Sequence, residues 1–453
     1  MVTWLTAGRI GEGIDMGPEW VAIIALVALF VIGTLLPINM GALAYVAAWL
    51  VGMYSLKLDE KEILAGVSGD LILTLIGVTY LFAIAKNNGT VDLIVTKAVK
   101  AVGGRVALIP WVMFGVTALL TGIGAASPAA CAIIGPIALG FAGKYKINPL
   151  MMGMFVVHGA QGGGFSPISI YGVITNSVMR DNGLEVGEMT LFLSSLVVNL
   201  AMAAILFVLL GGGKLMSQRI DPDEDELIDD LHAGGASVPA RGYGTTAPTG
   251  TKAQGVRIDQ VLTLVAFVGV AVVALAFDKN IGFVSITAAV ILNMLAPKQH
   301  TDAVRAIAWP TVLLVAGVST YAAILTQAGS PEFVGKWAAG LGAAAIGALI
   351  LCYVGGVVSA FASSTALLPI IIPIALPIIS EHGINAVTLV AALAIASTIV
   401  DVSPFSTNGA LMLANRPDTI AEPTFYKQIL TYSVIVVAVG ALLVWAALVL
   451  PGW

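Results

Sequence analysis

Charged side chains are scarce in this chain. Asp, Glu, Lys and Arg together make up 10% of its 453 residues, whereas a soluble domain carries about 25%. The mean hydropathy is +0.97 and the pI is about 5.4. The formal net charge is −5, so the chain has no basic surface that would attract nucleic acid. These deficits exclude a soluble α/β enzyme as the default class and a nucleic acid as the partner.

Cysteine and metal-binding patterns are equally sparse. The two cysteines, Cys131 and Cys352, both lie in apolar runs, so the sequence predicts neither a disulfide framework nor a metal site. His158 has no acidic residue or second histidine at metal-ligand spacing. A hydrolase would have to combine Ser127, His158 and Asp401 without any local signature. We therefore expect a protein that is not an enzyme and that needs no cofactor.

Long apolar runs are the dominant pattern. Most are about 20 residues long, which is enough for a helix to cross a ~30 Å hydrocarbon core. The alternating ten-residue strands that are typical of outer-membrane barrels do not occur. The sequence therefore predicts an all-α polytopic membrane protein. The predicted spans and short interfacial segments are 20–36, 38–55, 68–86, 89–103, 105–143, 148–179, 189–211, 258–277, 281–297, 306–328, 331–342, 343–380, 385–415 and 424–449.

One hydrophilic stretch, residues 212–257, interrupts these spans. Its acidic run and its tract rich in Gly, Thr, Ala and Pro are typical of a solvated, disordered linker. A regulatory or docking role for it stays open. With the two long elements entering and leaving on one side, 15 of the 21 Lys and Arg residues fall on one face. The positive-inside rule makes that face cytoplasmic, so we expect a cytoplasmic linker and two periplasmic or extracellular termini.

An internal repeat divides the chain into residues 1–211 and 258–453. A shift of 237 positions aligns residues 127–172 with residues 364–409 without a gap, and 14 of the 46 positions are identical. Each half is predicted to contain five crossings and one element of 38–39 residues. An odd number of crossings inverts the second half relative to the first. Inverted repeats are typical of secondary transporters, whose binding sites lie at the membrane midplane.

The long element of each half, 105–143 or 343–380, runs to a small, uncharged tip and back. A tip in water would normally carry Lys, Arg or Asn, so we expect a re-entrant hairpin, with a pair of full crossings as the alternative. Ser127 and Ser364 begin the returning helices. They either cap these helices or help the helix N-termini to bind an anion. Two such N-termini facing each other would suit a small substrate with a carboxylate at each end.

The spans 148–179 and 385–415 each contain a predicted break. Three consecutive glycines, 162–164, do not stay helical, and Pro167 fits the first turn of a new helix. At such a break the free carbonyls suit Na⁺ and the free amides suit a carboxylate. The alternative is that the glycines only allow two helices to pack closely.

Asp401 is the only acidic residue well inside a predicted span of the repeat core. A carboxylate at that depth is costly and therefore functional by default. It is expected either to bind Na⁺ or to carry a proton, unless it only accepts hydrogen bonds from nearby backbone amides. No Arg or Lys lies within the repeat cores. An anion there must be held by amides, hydroxyls, helix dipoles and cations.

The candidate site consists of the polar and small residues of the tips and breaks. His158 either faces the cavity or packs, and Asn176 and Asn408 either reach the substrate or tie helices together. The predicted substrate-binding residues are Ser127, Gln161, Ser166, Ser169, Asn176, Ser363, Ser364, Thr365, Ser403, Ser406, Thr407 and Asn408. The predicted Na⁺ ligands are Gly124, Ser127, Gly163, Gly164, Ser364 and Asp401.

The two repeats, each with a hairpin and a broken helix, resemble the ion transporter superfamily, whose divalent anion/sodium symporters carry dicarboxylates and citrate. Leu-Pro-Ile-Asn-Met-Gly-Ala at 36–42, Gly-Val-Thr-Tyr-Leu-Phe at 77–82 and His-Gly-Ala-Gln-Gly-Gly-Gly-Phe-Ser-Pro at 158–167 are more closely similar to the bacterial malonate (dicarboxylate) carrier family. The closer similarity covers mainly the first half. The resemblance implies a homodimer in the bacterial inner membrane. It also implies a scaffold domain and an elevator-like transport domain, with 89–103 and 331–342 as the linking arms.

The hairpin tips depart from the symporter pattern. In the symporters each tip carries Ser-Asn-Thr, which binds the substrate carboxylate and helps to form a sodium site. The matching positions here read Ala-Ser-Pro at 126–128 and Ser-Ser-Thr at 363–365. Neither tip has the Asn, and the second keeps more of the pattern.

The sequence thus predicts a secondary active carrier of a small dicarboxylate. Malonate is the first expectation, followed by succinate or malate, and Na⁺ coupling is favoured over proton coupling. The alternatives are a proton-coupled organic anion carrier and a Na⁺/H⁺ antiporter of the same fold. An ion channel would need a continuous polar path, whereas the polar residues cluster at the repeat centres.

Overall fold

The structure is a computed structural model that describes residues 17–100, 102–219, 257–277, 279–339, 344–361 and 364–451. Within these ranges the chain is helical and forms no strand, apart from an isolated bridge between Arg105 and Arg219. Six helices are long and apolar enough to cross a membrane, and further apolar helices are shorter. The predicted all-α membrane fold is therefore confirmed.

The helices of the first half follow the predicted spans closely. Two short ones that the sequence did not predict, α3 and α11, lie in connections. The helices are α1 (Pro18–Leu35), α2 (Met40–Leu50, continued by a π-helical turn Val51–Ser55), α3 (Glu60–Leu64), α4 (Gly69–Asn87), α5 (Thr90–Lys100), α6 (Ile109–Gly122), α7 (Ser127–Lys144), α8 (Pro149–Gly163), α9 (Ile170–Asp181), α10 (Glu188–Leu209) and α11 (Gly212–Leu215).

The second half repeats the order of the main elements. Its helices are α12 (Ile258–Ala276), α13 (Ile281–Leu295), α14 (Trp309–Gln327), α15 (Ser330–Ala339), α16 (Ala344–Phe361), α17 (Ser364–His382), α18 (Ala386–Thr398), α19 (Thr407–Ala414), α20 (Glu422–Ile435, continued by a π-helical turn Val436–Gly440) and α21 (Ala441–Leu448).

The start of the predicted linker is more ordered than expected. Residues 212–219 form α11 and a turn, and Leu215 is buried, so disorder was the wrong prediction for this part. Burial of the apolar Leu215 side chain is favourable, and it keeps the chain ordered beyond the end of α10. Residues 220–256 of the linker lie outside the described residues.

Helices of one half pack against helices of the other through glycines. On α2 and α14, a Cβ atom at Gly317 would lie 2.0 Å from the carbonyl oxygen of Gly41. On α4 and α13, a Cβ atom at Gly77 would lie 2.6 Å from the carbonyl oxygen of Gly282. Gly77 and Gly317 are equivalent under the 240-residue shift. Both crossings therefore depend on backbones that approach too closely for a side chain.

Two equivalent asparagines fasten these crossings at one end. Asn39 caps α2, and its amide donates to the carbonyl oxygen of Pro310 at 3.0 Å. Asn280 caps α13, and its amide donates to the Asp70 carboxylate. Asp70 and Pro310 occupy the same place in α4 and α14, 240 residues apart. The crossings thus share their end contacts as well as their glycines.

The broken helices are the most buried part of the chain. All residues of α8 from Leu150 to Gly163 and of α18 from Thr388 to Thr398 are buried. Helices α6 and α7 pack around α8, and α16 and α17 pack around α18. The residues between the halves of each broken helix are buried as well, apart from Phe405 in the second break, which is 55% exposed.

Substitution of Gly317 by Ala should destabilise the protein by about 1–3 kcal/mol, because the added methyl group collides with backbone and not with a movable side chain. Gly269→Ala on α12 is the matched control, since nothing lies within 4 Å of its added Cβ. Removing that helical glycine should be neutral or stabilising. Thermal unfolding of the purified variants in detergent measures both. Equal melting temperatures for the two variants would contradict the close crossing of α2 and α14.

Candidate functional site

The breaks lie where the two halves of the chain meet. α8 ends at Gly163 and α9 begins at Ile170; α18 ends at Thr398 and α19 begins at Thr407. Pro167 was expected in the first turn of the new helix, but the structure places it in the connection. Ser169 caps α9 instead, since its hydroxyl can accept from the backbone of the first turn and the Pro167 ring cannot.

Asp401 occupies the second break and is held by neutral donors. It is 7% exposed. The Ser364 hydroxyl, in the first turn of α17, lies 2.8 and 2.9 Å from its two carboxylate oxygens. Gln161 Nε2 donates to Oδ2 at 3.1 Å, and the Tyr171 hydroxyl donates to Oδ2 at 3.2 Å. The Ser359 hydroxyl lies 2.8 Å from that of Ser364 and extends the chain of hydrogen bonds.

The donors to Asp401 come from both halves of the chain. Ser364 belongs to the second half, whereas Gln161 and Tyr171 belong to the two parts of the first broken helix. Salt bridges in the described part of the chain occur only at helix ends and loops, and none involves Asp401. The carboxylate is thus surrounded by oxygen and nitrogen atoms without a compensating positive side chain, which is a favourable environment for a small cation.

A second contact joins the halves at the first hairpin tip. Asn408 Nδ2, in the first turn of α19, donates to the Ser127 hydroxyl at 2.9 Å. Ser127 was a candidate helix cap, but this interpretation is wrong: Ala126 is the N-cap of α7 and Ser127 is its first helical residue. With helical backbone angles, the Ser127 side chain cannot reach back to the free amides and is available for Asn408.

Several buried polar atoms around these contacts have no hydrogen-bond partner among the described residues. They are the Gln161 carbonyl oxygen Oε1, both polar atoms of Asn176, the Asn408 carbonyl oxygen Oδ1, Thr175 Oγ1 and Ser397 Oγ. A buried polar atom without a partner costs about 1–3 kcal/mol. A polar ligand that binds between the two broken helices could form hydrogen bonds with these atoms and remove this cost.

The predicted glycine ligands of the first half are already engaged by the protein. The Gly163 carbonyl accepts from Ser166 N at 3.1 Å, and the Gly164 carbonyl accepts from Gly172 N at 3.2 Å. A Cβ atom at Gly163 would lie 1.9 Å from the Ala118 carbonyl oxygen, and one at Gly124 (φ +109°) would lie 2.2 Å from a Val78 methyl carbon. Close packing, the alternative that the sequence left open for glycines 162–164, therefore explains why Gly163 has no side chain, whereas Na⁺ binding by these glycines stays a prediction.

The two breaks differ at the position of Asp401. Gly164 is the counterpart of Asp401, and Tyr171 is the counterpart of Asn408, under the 237-residue shift. A Cβ atom at Gly164 would lie 2.8 Å from the Tyr171 ring. Tyr171 thus covers the position where a carboxylate of the first half would start, and its hydroxyl reaches Asp401 instead.

His158 belongs to the packing of the first broken helix. It is fully buried, with Nδ1 2.8 Å from Asn199 Oδ1 and Nε2 2.6 Å from the Tyr432 hydroxyl. Both ring nitrogens are therefore used to join α8 to α10 and α20. Of the two interpretations that the sequence allowed, the structure supports the packing role.

The other predicted residues divide into structural and exposed groups. Ser406 caps α19 and donates to the Asp401 carbonyl at 2.6 Å, so its hydroxyl is not free. Ser166 donates to the Gly122 carbonyl at 2.6 Å, and Ser403 accepts from Phe405 N at 3.2 Å. Thr365 is half-buried and Thr407 is exposed. Ser363 lies outside the described residues.

Tyr171 and Ser359 are the residues that the sequence argument missed. Tyr171 occupies the position that matches Asn408 in the aligned repeat, which was a usable signal. Ser359 begins the small polar tip of the second hairpin in the sequence but was not chosen as a site residue; the structure places it in the last turn of α16. In the described part of the chain, no three His, Cys, Asp or Glu side chains come together to hold a metal ion. Both cysteines are buried and free.

Comparisons with known proteins identify two matching families and one similar fold. Residues 16–164 match the family described as dicarboxylate carrier protein MatC N-terminus, and residues 272–451 match the citrate transporter family. The solved structure of the Alcanivorax borkumensis YdaH transporter is similar over 95% of this chain and 97% of that one. Its TM-score is 0.55 and its identity is 12%, so it supports the fold alone. No curated protein matches the chain in a direct sequence comparison.

The two matched families indicate a membrane transport protein of the secondary carrier class, since both are families of transporters and not of enzymes. The two matched families are both carriers of carboxylates, and together they cover most of the two repeats. The resemblance to dicarboxylate carriers that the sequence motifs indicate is therefore confirmed.

Ser406→Ala should lower the stability by about 1–2 kcal/mol, because it removes the cap of α19. Thr407→Ala, one residue further on, is the control and should leave the stability unchanged, since the Thr407 side chain is exposed. Thermal unfolding measures the difference. An unchanged melting temperature for Ser406→Ala, combined with a loss of ligand binding, would contradict the capping role and would support Ser406 as a substrate-binding residue.

Proposed function

We propose that the protein is a secondary active carrier of a small dicarboxylate, coupled to Na⁺, in the bacterial inner membrane. The observation that carries this proposal is the buried Asp401 carboxylate, which is held by hydroxyl and amide groups of both repeats without a basic partner. Malonate is the first substrate to test, because the first half matches a dicarboxylate carrier family. Succinate and malate are the next substrates to test. We also propose that both termini lie on the outer face of the membrane.

Asp401 supplies the charge of the proposed cation site. A Na⁺ ion prefers several oxygen ligands. The Asp401 carboxylate, the Ser364 hydroxyl and the Tyr171 hydroxyl are already in mutual contact. Rotation of the Gln161 amide would present Oε1, which has no partner among the described residues, in place of its NH₂ group. Because Gly164 stands where a second carboxylate would be, we propose one such carboxylate-based site per chain.

Asn176 and Asn408 are proposed to bind the substrate. Both are 2% exposed. The Asn176 NH₂ group has no partner among the described residues and can donate to a carboxylate oxygen, and the Asn408 NH₂ group, which donates to Ser127, has a second N–H that can do the same. With no Lys or Arg among the proposed ligands, the bound cation compensates part of the charge of the substrate. Binding of the anion is therefore expected to depend on the cation, which is the basis of symport.

The proposal extends to the mechanism and the assembly. In an elevator, the body that includes α6–α10 and α16–α21 would move against α1, α2 and α14. A separate buried cluster joins α1, α2 and α14 and contacts α17 through Ala366 and Ile370, which supports a boundary between two bodies there. A homodimer is proposed on the family resemblance alone.

Uptake into proteoliposomes tests the coupling ion and the substrate. With the pH gradient held at zero, an inward Na⁺ gradient should drive accumulation of labelled malonate, succinate or malate. Proton coupling is the second candidate, because the Asp401 carboxylate could carry a proton in place of Na⁺. Uptake that needs a pH gradient and ignores Na⁺ would establish that candidate, and no uptake of any dicarboxylate would contradict the substrate class.

Asp401→Asn should abolish the Na⁺ dependence while leaving the fold intact, because the amide oxygen can still accept from Gln161 and Tyr171 and its NH₂ group can donate to the Ser364 hydroxyl, but the charge is lost. We expect coupled uptake to fall by about 100-fold or more, as for a coupling free energy near 3 kcal/mol. Asn415→Asp is a control on α19's C-cap, outside the site. Na⁺-dependent uptake by Asp401→Asn at the wild-type rate would remove Asp401 from the cation site.

A further inference from the structure

An apolar groove of about 500 Å³ lies outside the candidate site. It runs between α10 and the outer face of α20, the π-helical turn and α21. Its walls are formed largely by Ile205, Leu209, Ile435, Val439 and Leu443. The surface beside it is also apolar, since Val208 is 76% and Val434 is 60% exposed. The groove therefore opens toward the hydrocarbon region that the spanning helices α10 and α20 cross.

One end of the groove is polar and positively charged. Thr424, Lys427 and Gln428, on the first turns of α20, line this end. Lys427 is exposed, and none of the ion pairs in the described ranges involves it. The Gln428 Oε1 atom is buried without a hydrogen-bond partner among the described residues. The apolar groove thus ends at the Lys427 ammonium group and at the Gln428 amide, whose oxygen has no hydrogen-bond partner among the described residues.

Other basic residues follow the walls at the same end. Lys214 comes four residues after Leu210, and Lys146 comes four residues before Leu150; Leu210 and Leu150 both line the groove. The exposed Glu422 nearby is paired with Arg416 at 3.3 Å. Together, Lys146, Lys214, Arg416 and Lys427 outnumber the nearby acidic residues Asp418 and Glu422, so the charge near this end is net positive.

We propose that this groove binds an anionic phospholipid, with one acyl chain along the apolar walls and the phosphate at Lys427. In a bilayer, a side-opening apolar groove is accessible to an acyl chain, and burial of each CH₂ group is favourable. The cationic end matches a phosphate and the anionic lipids of the cytoplasmic leaflet. The positive-inside count also places Lys427 on that side.

The groove is connected to the proposed cation site by two hydrogen bonds and one turn of α8. Tyr432 forms part of the wall, and its hydroxyl lies 2.6 Å from His158 Nε2. His158 precedes Gln161 by one helical turn on α8, and Gln161 donates to Asp401. Lipid in the groove would restrain Tyr432 and, through α8, the cation site. This regulatory consequence rests on the proposed function, whereas binding of the lipid does not.

Lipid binding to the purified full-length chain in detergent tests the proposal. Thermal unfolding and native mass spectrometry should both show that phosphatidylglycerol binds more tightly than phosphatidylcholine with the same acyl chains. Glycerol 3-phosphate, the free headgroup chemistry, should not bind. Lys427→Gln should weaken phosphatidylglycerol binding about fivefold, which corresponds to the ~1 kcal/mol of one basic residue at an anionic surface. Lys298→Gln, at an exposed loop, should have no effect.

Groove-filling variants separate the groove from the rest of the surface. Ile435→Trp and Val439→Trp should abolish phosphatidylglycerol binding, whereas Val434→Trp, which points away from the groove, should bind like the wild type. Equal binding of both lipids, equal binding by Ile435→Trp and Val434→Trp, or equal binding of glycerol 3-phosphate would overturn the proposal. A disulfide between the Val439→Cys residues of two copies of the chain would also overturn it, because the groove would then lie at an interface between copies. Dicarboxylate uptake by Lys427→Gln can be measured independently of lipid binding. Failure of the lipid proposal therefore leaves the transport proposal standing.

Discussion

A buried carboxylate without a basic partner is the constraint on which the rest of the site depends. Asp401 lies between two helices that would be continuous without the break, and every donor that reaches it is neutral. Because an uncompensated charge in a membrane interior costs several kcal/mol, the protein must surround it with donors, bind a cation or hold the carboxyl group protonated. The break, the position of Ser364 at the start of α17 and the reach of Gln161 and Tyr171 across the repeat boundary all follow from that requirement.

The near-symmetry of the two halves explains how the donors arrive. The glycine crossings of α2 with α14 and of α4 with α13 are equivalent, and Asn39 and Asn280 fasten both at one end. The same relation appears at the site, where Tyr171 reaches Asp401 and its counterpart Asn408 reaches Ser127. The symmetry fails where it carries function: Gly164 stands opposite Asp401, and the Tyr171 ring covers it.

Most of the helix pattern could be predicted from sequence, because apolar runs and Gly, Pro and Ser breaks are local signals. Asp401 could also be singled out, since an acidic residue in an apolar span is rare. The partners of Asp401 in the first half could not, because Gln161 and Tyr171 lie 240 and 230 residues away from it in the chain. The same limit explains Ser127, which was expected as a cap but is used by Asn408. Whether the hairpins are re-entrant stays a prediction.

Direct binding of the coupling ion is the most decisive measurement, because it isolates the Asp401 site from substrate transport. A ligand that binds the folded state raises its melting temperature with concentration. We predict that Na⁺, at constant ionic strength with choline as the balancing ion, raises the melting temperature of the wild type in the absence of any dicarboxylate. It should not raise that of Asp401→Asn. The same Na⁺-dependent rise in both proteins would contradict the account.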